Sequence, residues 1–111
     1  MIITGSTPTF TMNLPENITE VIENICFAFT QEEPAGQETE DAVVEKGFND
    51  FHIDSDNAQL SVTLTQEDTL RFKAGTPVWY QLKILTSGGD ILHSQIWQDE
   101  VLPAVCREVL K

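Results

Sequence analysis

Apolar residues recur along this chain with a period of two far more often than with the period of a helix. In residues 7–15, Phe10, Met12 and Leu14 share one face, with threonines and Asn13 between them, and Pro15 ends the run. In residues 24–31, Ile25, Phe27 and Phe29 alternate with Cys26, Ala28 and Thr30. Both of those faces are fairly apolar, which predicts a central strand with its second face partly covered. Leu60, Val62 and Leu64 alternate with Ser61, Thr63 and Thr65 in the cleanest strand of the chain. The longest strand is predicted at 78–86, with Val78, Tyr80, Leu82 and Ile84 on one face and Trp79, Gln81, Lys83 and Leu85 on the other. Ser87-Gly88-Gly89-Asp90 then reads as a hairpin turn, because glycines supply the positive φ such turns need, and residues 91–97 form the return strand.

The rest of the chain is less regular. Residues 42–54 hold two short strand candidates around Lys46-Gly47. Residues 32–41, 54–59 and 73–77 carry the glycine, proline, asparagine and aspartate of turns and loops. Residues 16–24 fit either one turn of helix or a connection that tucks Ile18, Val21 and Ile22 inward. The tail keeps an apolar beat through Val101, Val105 and Val109, broken by Pro103; it predicts a strand end followed by a last helical turn. About seven short strands with little helix predict an all-β antiparallel sandwich, and 111 residues fit one domain spanning 1–111.

One stretch departs from the strand pattern. Thr65-Gln66-Glu67-Asp68 has a threonine three residues before an acid, a variant of the capping box, directly after the strand at 60–66. It predicts one helical turn that carries the chain from one sheet to the other before the strand at 78–86. Thr65 caps it, Asp68 sits at its positive end, and Leu70 plugs the open end of the sandwich. A similar threonine-acid-acid-threonine turn joins the fifth and sixth strands of immunoglobulin-type domains, so the architecture resembles an Ig-like sandwich. The cysteine pair and core tryptophan of antibody domains are not matched, since Cys106 lies beyond the last hairpin.

A closer resemblance is to small phage and prophage structural proteins of Gram-positive bacteria, in particular the N-terminal domain of phage baseplate upper proteins. Three stretches carry it: Gly5-Ser6-Thr7-Pro8-Thr9-Phe10-Thr11, Val62 to Phe72, and Val78 to Gly88. Residues 17–59 carry no such motif. The matched motifs are structural parts, so the resemblance implies a fold and a virion-type structural or assembly role, with protein partners or self-association.

Charge and cysteine usage narrow the field. The formal net charge is −12, from 18 acidic and 6 basic residues. Nine carboxylates precede the first basic residue, Lys46. Such a chain repels phosphate backbones, so no nucleic-acid partner is expected. The acidity serves either solubility or an acidic face that docks a basic partner. No window approaches a membrane span, and the opening residues lack the basic region of a signal peptide, so synthesis and folding in the cytoplasm are expected, with a virion as the destination the resemblance implies. Cys26 and Cys106 make no disulfide framework, and Cys26 is expected to behave as a small buried hydrophobe.

Chemistry-bearing patterns are weak. His52 and His93 have no serine or cysteine nucleophile at a recognisable spacing. Asp54-Ser55-Asp56-Asn57 starts like a calcium loop, but Ala58 and Gln59 stand where a ligand and a glycine belong, and an Asp/Asn-rich turn is the better reading. Glu38 to Asp41 is an acid cluster that could bind a cation only weakly, as any such cluster can. No pair among the carboxylates is singled out as a glycosidase dyad. The chain therefore predicts no enzyme, no metal and no cofactor. What remains is an aromatic group. Counted outward from the hairpin turn, Trp79 and Trp97 fall near-opposite and are expected to share a face, either as core or as a contact patch. Trp79, Lys83, His93 and Trp97, on the outer face of the hairpin, are the candidate interaction residues. The alternative function is a carbohydrate- or small-ligand-binding module, for which the Trp79/Trp97 pair is the candidate site.

Overall fold

Alternation in the sequence becomes alternation in burial. Along the strand Ile22–Thr30, Ile25, Phe27 and Phe29 are buried while Cys26, Ala28 and Thr30 are only partly covered. A computed structural model describes residues 1–15, 17–33, 42–106 and 108–110. Its strands in chain order are β1 (Ile2–Ile3), β2 (Thr9–Asn13), β3 (Ile22–Thr30), β4 (Val44–Gly47), β5 (His52–Asp54), β6 (Gln59–Thr63), β7 (Val78–Thr86), β8 (Ile91–His93), β9 (Trp97–Asp99) and β10 (Val101–Leu102). A 3-10 turn, Phe48–Asp50, links β4 to β5. Helix α1 (Gln66–Leu70) links β6 to β7. The loop expected at 32–41 and the acid cluster Glu38 to Asp41 lie almost wholly outside the described residues.

Two sheets form the sandwich. One has the order β2-β6-β5; the other has the order β4-β3-β7-β8, with β9 also on β7. All of these pairings are antiparallel. Taken as B-E-D and C′-C-F-G, they reproduce the strand order of an immunoglobulin-like sandwich, with α1 between its fifth and sixth strands. β1 runs parallel to β10, with Ile2 opposite Val101. The expected all-β sandwich with one helical turn is therefore present. The strand ending near 66 stops instead at Thr63, because Thr65 serves as the helix cap. Residues 17–21 form turns that tuck the buried Thr19 inward, and β3 starts at Ile22. The described tail residues after Leu102 hold no helix, contrary to the predicted last turn: Pro103 breaks the apolar beat, and Val105 stands fully exposed.

The inner faces meet around Phe27, which is fully buried. Its ring lies 5.7 Å from Phe10, 4.7 Å from Phe29, 6.0 Å from Phe51 and 5.7 Å from Tyr80, mostly edge to face. Phe10 comes from one sheet and Phe29 and Tyr80 from the other, so this cluster joins the layers. Such pairs add about 0.5–1.5 kcal/mol each beyond the area they bury.

Helix α1 closes one end. Its capping box is complete: the Asp68 N–H donates to Thr65 Oγ1 (3.1 Å) and the Thr65 N–H donates to Asp68 Oδ2 (2.9 Å). The Lys46 ammonium, reaching from the inner side of β4, binds the same Asp68 oxygen at 2.6 Å. The buried Thr69 hydroxyl donates to Ser6 O (2.8 Å), tying the turn to the N-terminal segment. Leu70 is only partly buried and lies beside Gly5, whose φ of +83° suits glycine and would strain other residues. Phe72, 5.8 Å from Phe29, is the deeper plug. A one-turn helix aims residues three apart the same way, which selects Thr69 and Phe72 over Leu70.

Burial pushes the Asp68 carboxyl up, but its bonds from Lys46 and Thr65 prevail and hold it below the usual aspartate range. A carboxyl lowered in the folded state stabilises the fold above its unfolded pKa, about 3.9, and loses that contribution as pH falls through the lowered value. Asp68→Asn is therefore expected to lower stability by about 1–3 kcal/mol at pH 7. In urea melts the gap to the parent protein closes as pH drops below about 4; a gap independent of pH contradicts this account.

Candidate functional site

The sandwich is open on one side. In the order A-B-E-D, a first strand would border the strand that β2 represents. Here β1 pairs with β10 instead, and among the described residues β2 pairs only with β6. Phe10, Met12 and Leu14, which an added strand would cover, are left half-buried. Between them and the β7–β9 edge lies a cleft of about 690 Å³. Phe27, Leu82 and Ile84 line its depth; Leu92, Tyr80 and Trp97 form the facing wall; Asn13, His93 and Ser94 are among its polar lining residues. Tyr80 bridges the two walls, 5.3 Å from Phe10 and 5.6 Å from Trp97.

A single extra residue builds that wall. Lys83 pairs with His93 in β8, so an unbroken register would set Trp79 against Trp97. Instead Tyr80 pairs with Trp97, and Trp79 pairs with Gln98. Ser94, Gln95 and Ile96 span on the return strand what Gln81 and Leu82 span on β7. One inserted residue moves every later side chain to the other face. The expectation that the two tryptophans share a face is thus corrected: Trp97 turns into the cleft and Trp79 stays outside, next to Thr30. The irregular segment is sealed by Ser94. Its N–H donates to Leu82 O (2.9 Å), its hydroxyl accepts from the Leu82 N–H (2.9 Å), and its carbonyl accepts from Gln81 Nε2 (2.8 Å).

The four candidate interaction residues therefore divide. Trp79 and Lys83 lie on the outer face of β7, with exposed His93 opposite Lys83 and also bordering the cleft. Trp97 belongs to the cleft. The cleft wall of Phe10, Met12 and Leu14 was legible only as core, since their alternation is the same whether or not a neighbouring strand covers them.

The shifted titratable groups around the hairpin and turns have local causes. Cys26 sits on the outer face rather than in the core. Burial, a hydrogen bond to Glu45 Oε1 (3.3 Å) and the Glu45 charge together push its thiol up to about 11, against a smaller opposing effect of Lys83. Tyr80 is also raised, by burial and then by the Asp99 charge, so its phenol stays protonated at neutral pH. Asp54 is lowered by its bonds from the Asn57 side chain and N–H, as an Asp/Asn turn requires. Among the described residues no group of three metal-ligating side chains converges. No helix among them is long and apolar enough to cross a membrane. Comparison with protein-family models finds no match, and comparison with curated proteins finds none either.

Two outcomes follow. Ser94→Ala leaves the Leu82 N–H without its acceptor and is expected to lower stability by about 1 kcal/mol in urea melts while shifting Trp97 emission to the red. An unchanged melt means that the hydroxyl does not seal the irregular segment. In native protein at pH 8, a maleimide is expected to modify the exposed Cys106 and leave Cys26 largely unmodified, because a thiol with a pKa of about 11 is about one part in a thousand thiolate. Equal labelling of both contradicts the Cys26 environment described.

Proposed function

We propose that this chain is a non-catalytic assembly module of the virion type, acting through protein–protein contacts in a prophage tail- or baseplate-like particle. The observation that carries the reading is the open side of the sandwich, where a regular strand edge lies beside an exposed apolar cleft. Unpaired strand edges and exposed apolar patches are costly to keep unless a partner uses them. The virion setting rests on the likeness of residues 5–11, 62–72 and 78–88 to phage structural proteins. Those stretches correspond to β2 and its approach, the α1 turn and the hairpin strand β7, which together build the closed end and one wall of the cleft. Outer-face Trp79, Lys83 and His93 offer a second, more polar contact surface.

A second reading has its own support. Tilted stacking of Tyr80 and Trp97 beside Asn13, His93 and Ser94 has the composition of a small-ligand site, apolar with a few polar groups. It replaces the Trp79/Trp97 pair as the place where a carbohydrate or small ligand would bind.

Density-gradient sedimentation of lysates from the protein's own host is expected to carry the chain with tail or baseplate particles. Light scattering of pure protein across concentration and salt supplies the complementary measurement. A chain that remains at the top of every gradient and scatters as a monomer under all conditions overturns the assembly reading. A saturable change in Trp97 emission with one oligosaccharide of a panel favours the second reading.

A further inference from the structure

We propose that the β2 edge is a strand-acceptor site, taking an extended, net-basic segment of a partner protein whose alternate apolar side chains fill the cleft. The proposal rests on the reading of this chain as a protein-contact module and specifies how the contact is made.

Three observations carry it. The first is the direction of the backbone groups. Leu64 N–H donates to Pro8 O (3.0 Å) and Leu14 N–H donates to Ala58 O (2.8 Å) at the two ends of the β2–β6 ladder. Bonded pairs alternate in an antiparallel ladder, so Phe10 and Met12 also bond to β6. Thr9, Thr11 and Asn13 therefore aim their N–H and C=O groups away from β6, toward the open edge. That edge is about 17 Å long, enough to pair with a five-residue segment.

The second is what lies beneath. A strand added to β2 sits about 4.8 Å from it and sends every second side chain inward. Those side chains would meet Met12 and Leu92 and the Tyr80–Trp97 wall. Backbone bonds supply affinity and the cleft supplies selection for alternate apolar residues. The β8 edge beside the cleft is a weaker template: it is three residues long and ends in the irregular Ser94–Ile96 segment.

The third is charge. A second copy would carry the same whole-chain net charge of −12, so self-pairing is opposed at ordinary salt. A basic segment is drawn in by the same field. Among the described residues the cleft lining contains no carboxylate, so the occupant's inward residues are apolar and its cationic ones point outward.

The test uses the full chain with Trp79→Phe, which leaves Trp97 as the single indole reporter in the cleft. The probes are a nine-residue peptide alternating leucine with lysine and a second alternating leucine with glutamate. The lysine peptide is expected to shift Trp97 emission to the blue with an affinity on the order of micromolar, weakening about tenfold or more from low to high salt. The glutamate peptide is expected to give no shift. Thr11→Pro removes an outward N–H that β6 does not use, so the fold survives, as circular dichroism would verify, and binding drops at least about tenfold. Leu92→Lys, on the opposite wall and already partly exposed, is expected to weaken binding of the lysine peptide as well. Absence of a shift, equal binding of both peptides, or binding that survives both substitutions overturns the proposal. A blue shift that grows with protein concentration alone also overturns it, in favour of a second copy, as does a response to sugars in place of peptide. If Thr11→Pro still sediments with particles, strand addition fails while the assembly reading stands.

Discussion

Phe27 is the point on which the two layers depend. It is fully buried at the middle of β3, opposite Lys46 of β4 and Leu82 of β7, and its ring meets rings from both sheets. Placing it there requires the long β3–β7 ladder, which runs from Thr30 opposite Trp79 to Ile22 opposite Thr86 with one irregularity between Asn24 and Ile22. That ladder fixes which residues of β7 face inward. Every other part of the sandwich, including the cleft, is positioned relative to it.

The α1 turn does a different job with few residues. The chain must leave β6 in one sheet and arrive at β7 in the other. Thr65 and Asp68 satisfy each other's backbone N–H, Lys46 ties the turn to β4, and Thr69 ties it to the N-terminal segment. These contacts join a helix too short to be stable alone to two separate parts of the fold. In doing so they hold the end from which β7 begins.

The open side follows from two local events. Only two residues of β1 form a strand, and they pair with β10, so among the described residues β2 is left as an edge. One residue inserted after His93 then turns Trp97 inward, giving the facing wall a large aromatic body. Without the insertion, Trp97 would lie on the outer face beside Trp79, and the cleft would lose that wall. The concave site and the free edge thus come from small departures in an otherwise regular sandwich.

Much of the fold was legible because it depends on local pattern. Alternation placed β2, β3, β6 and β7 with their inward faces, since side chains in a strand alternate whatever its neighbours are. The capping box announced α1, because its hydrogen bonds lie within four residues. The hairpin turn was equally local, although of the two glycines expected at positive φ only Gly89, at +86°, takes it and Gly88 does not. Three features belonged to the tertiary structure. Whether Phe10, Met12 and Leu14 are core or cleft wall depends on a neighbouring strand far along the chain or missing. The side to which Trp97 points depends on register, and a count from the turn cannot register an insertion held by Ser94 hydrogen bonds. The depth of Leu70 relative to Phe72 depends on where a single helical turn meets the sheets. Each was decided by contacts between residues distant in sequence, and an alternating pattern says nothing about those.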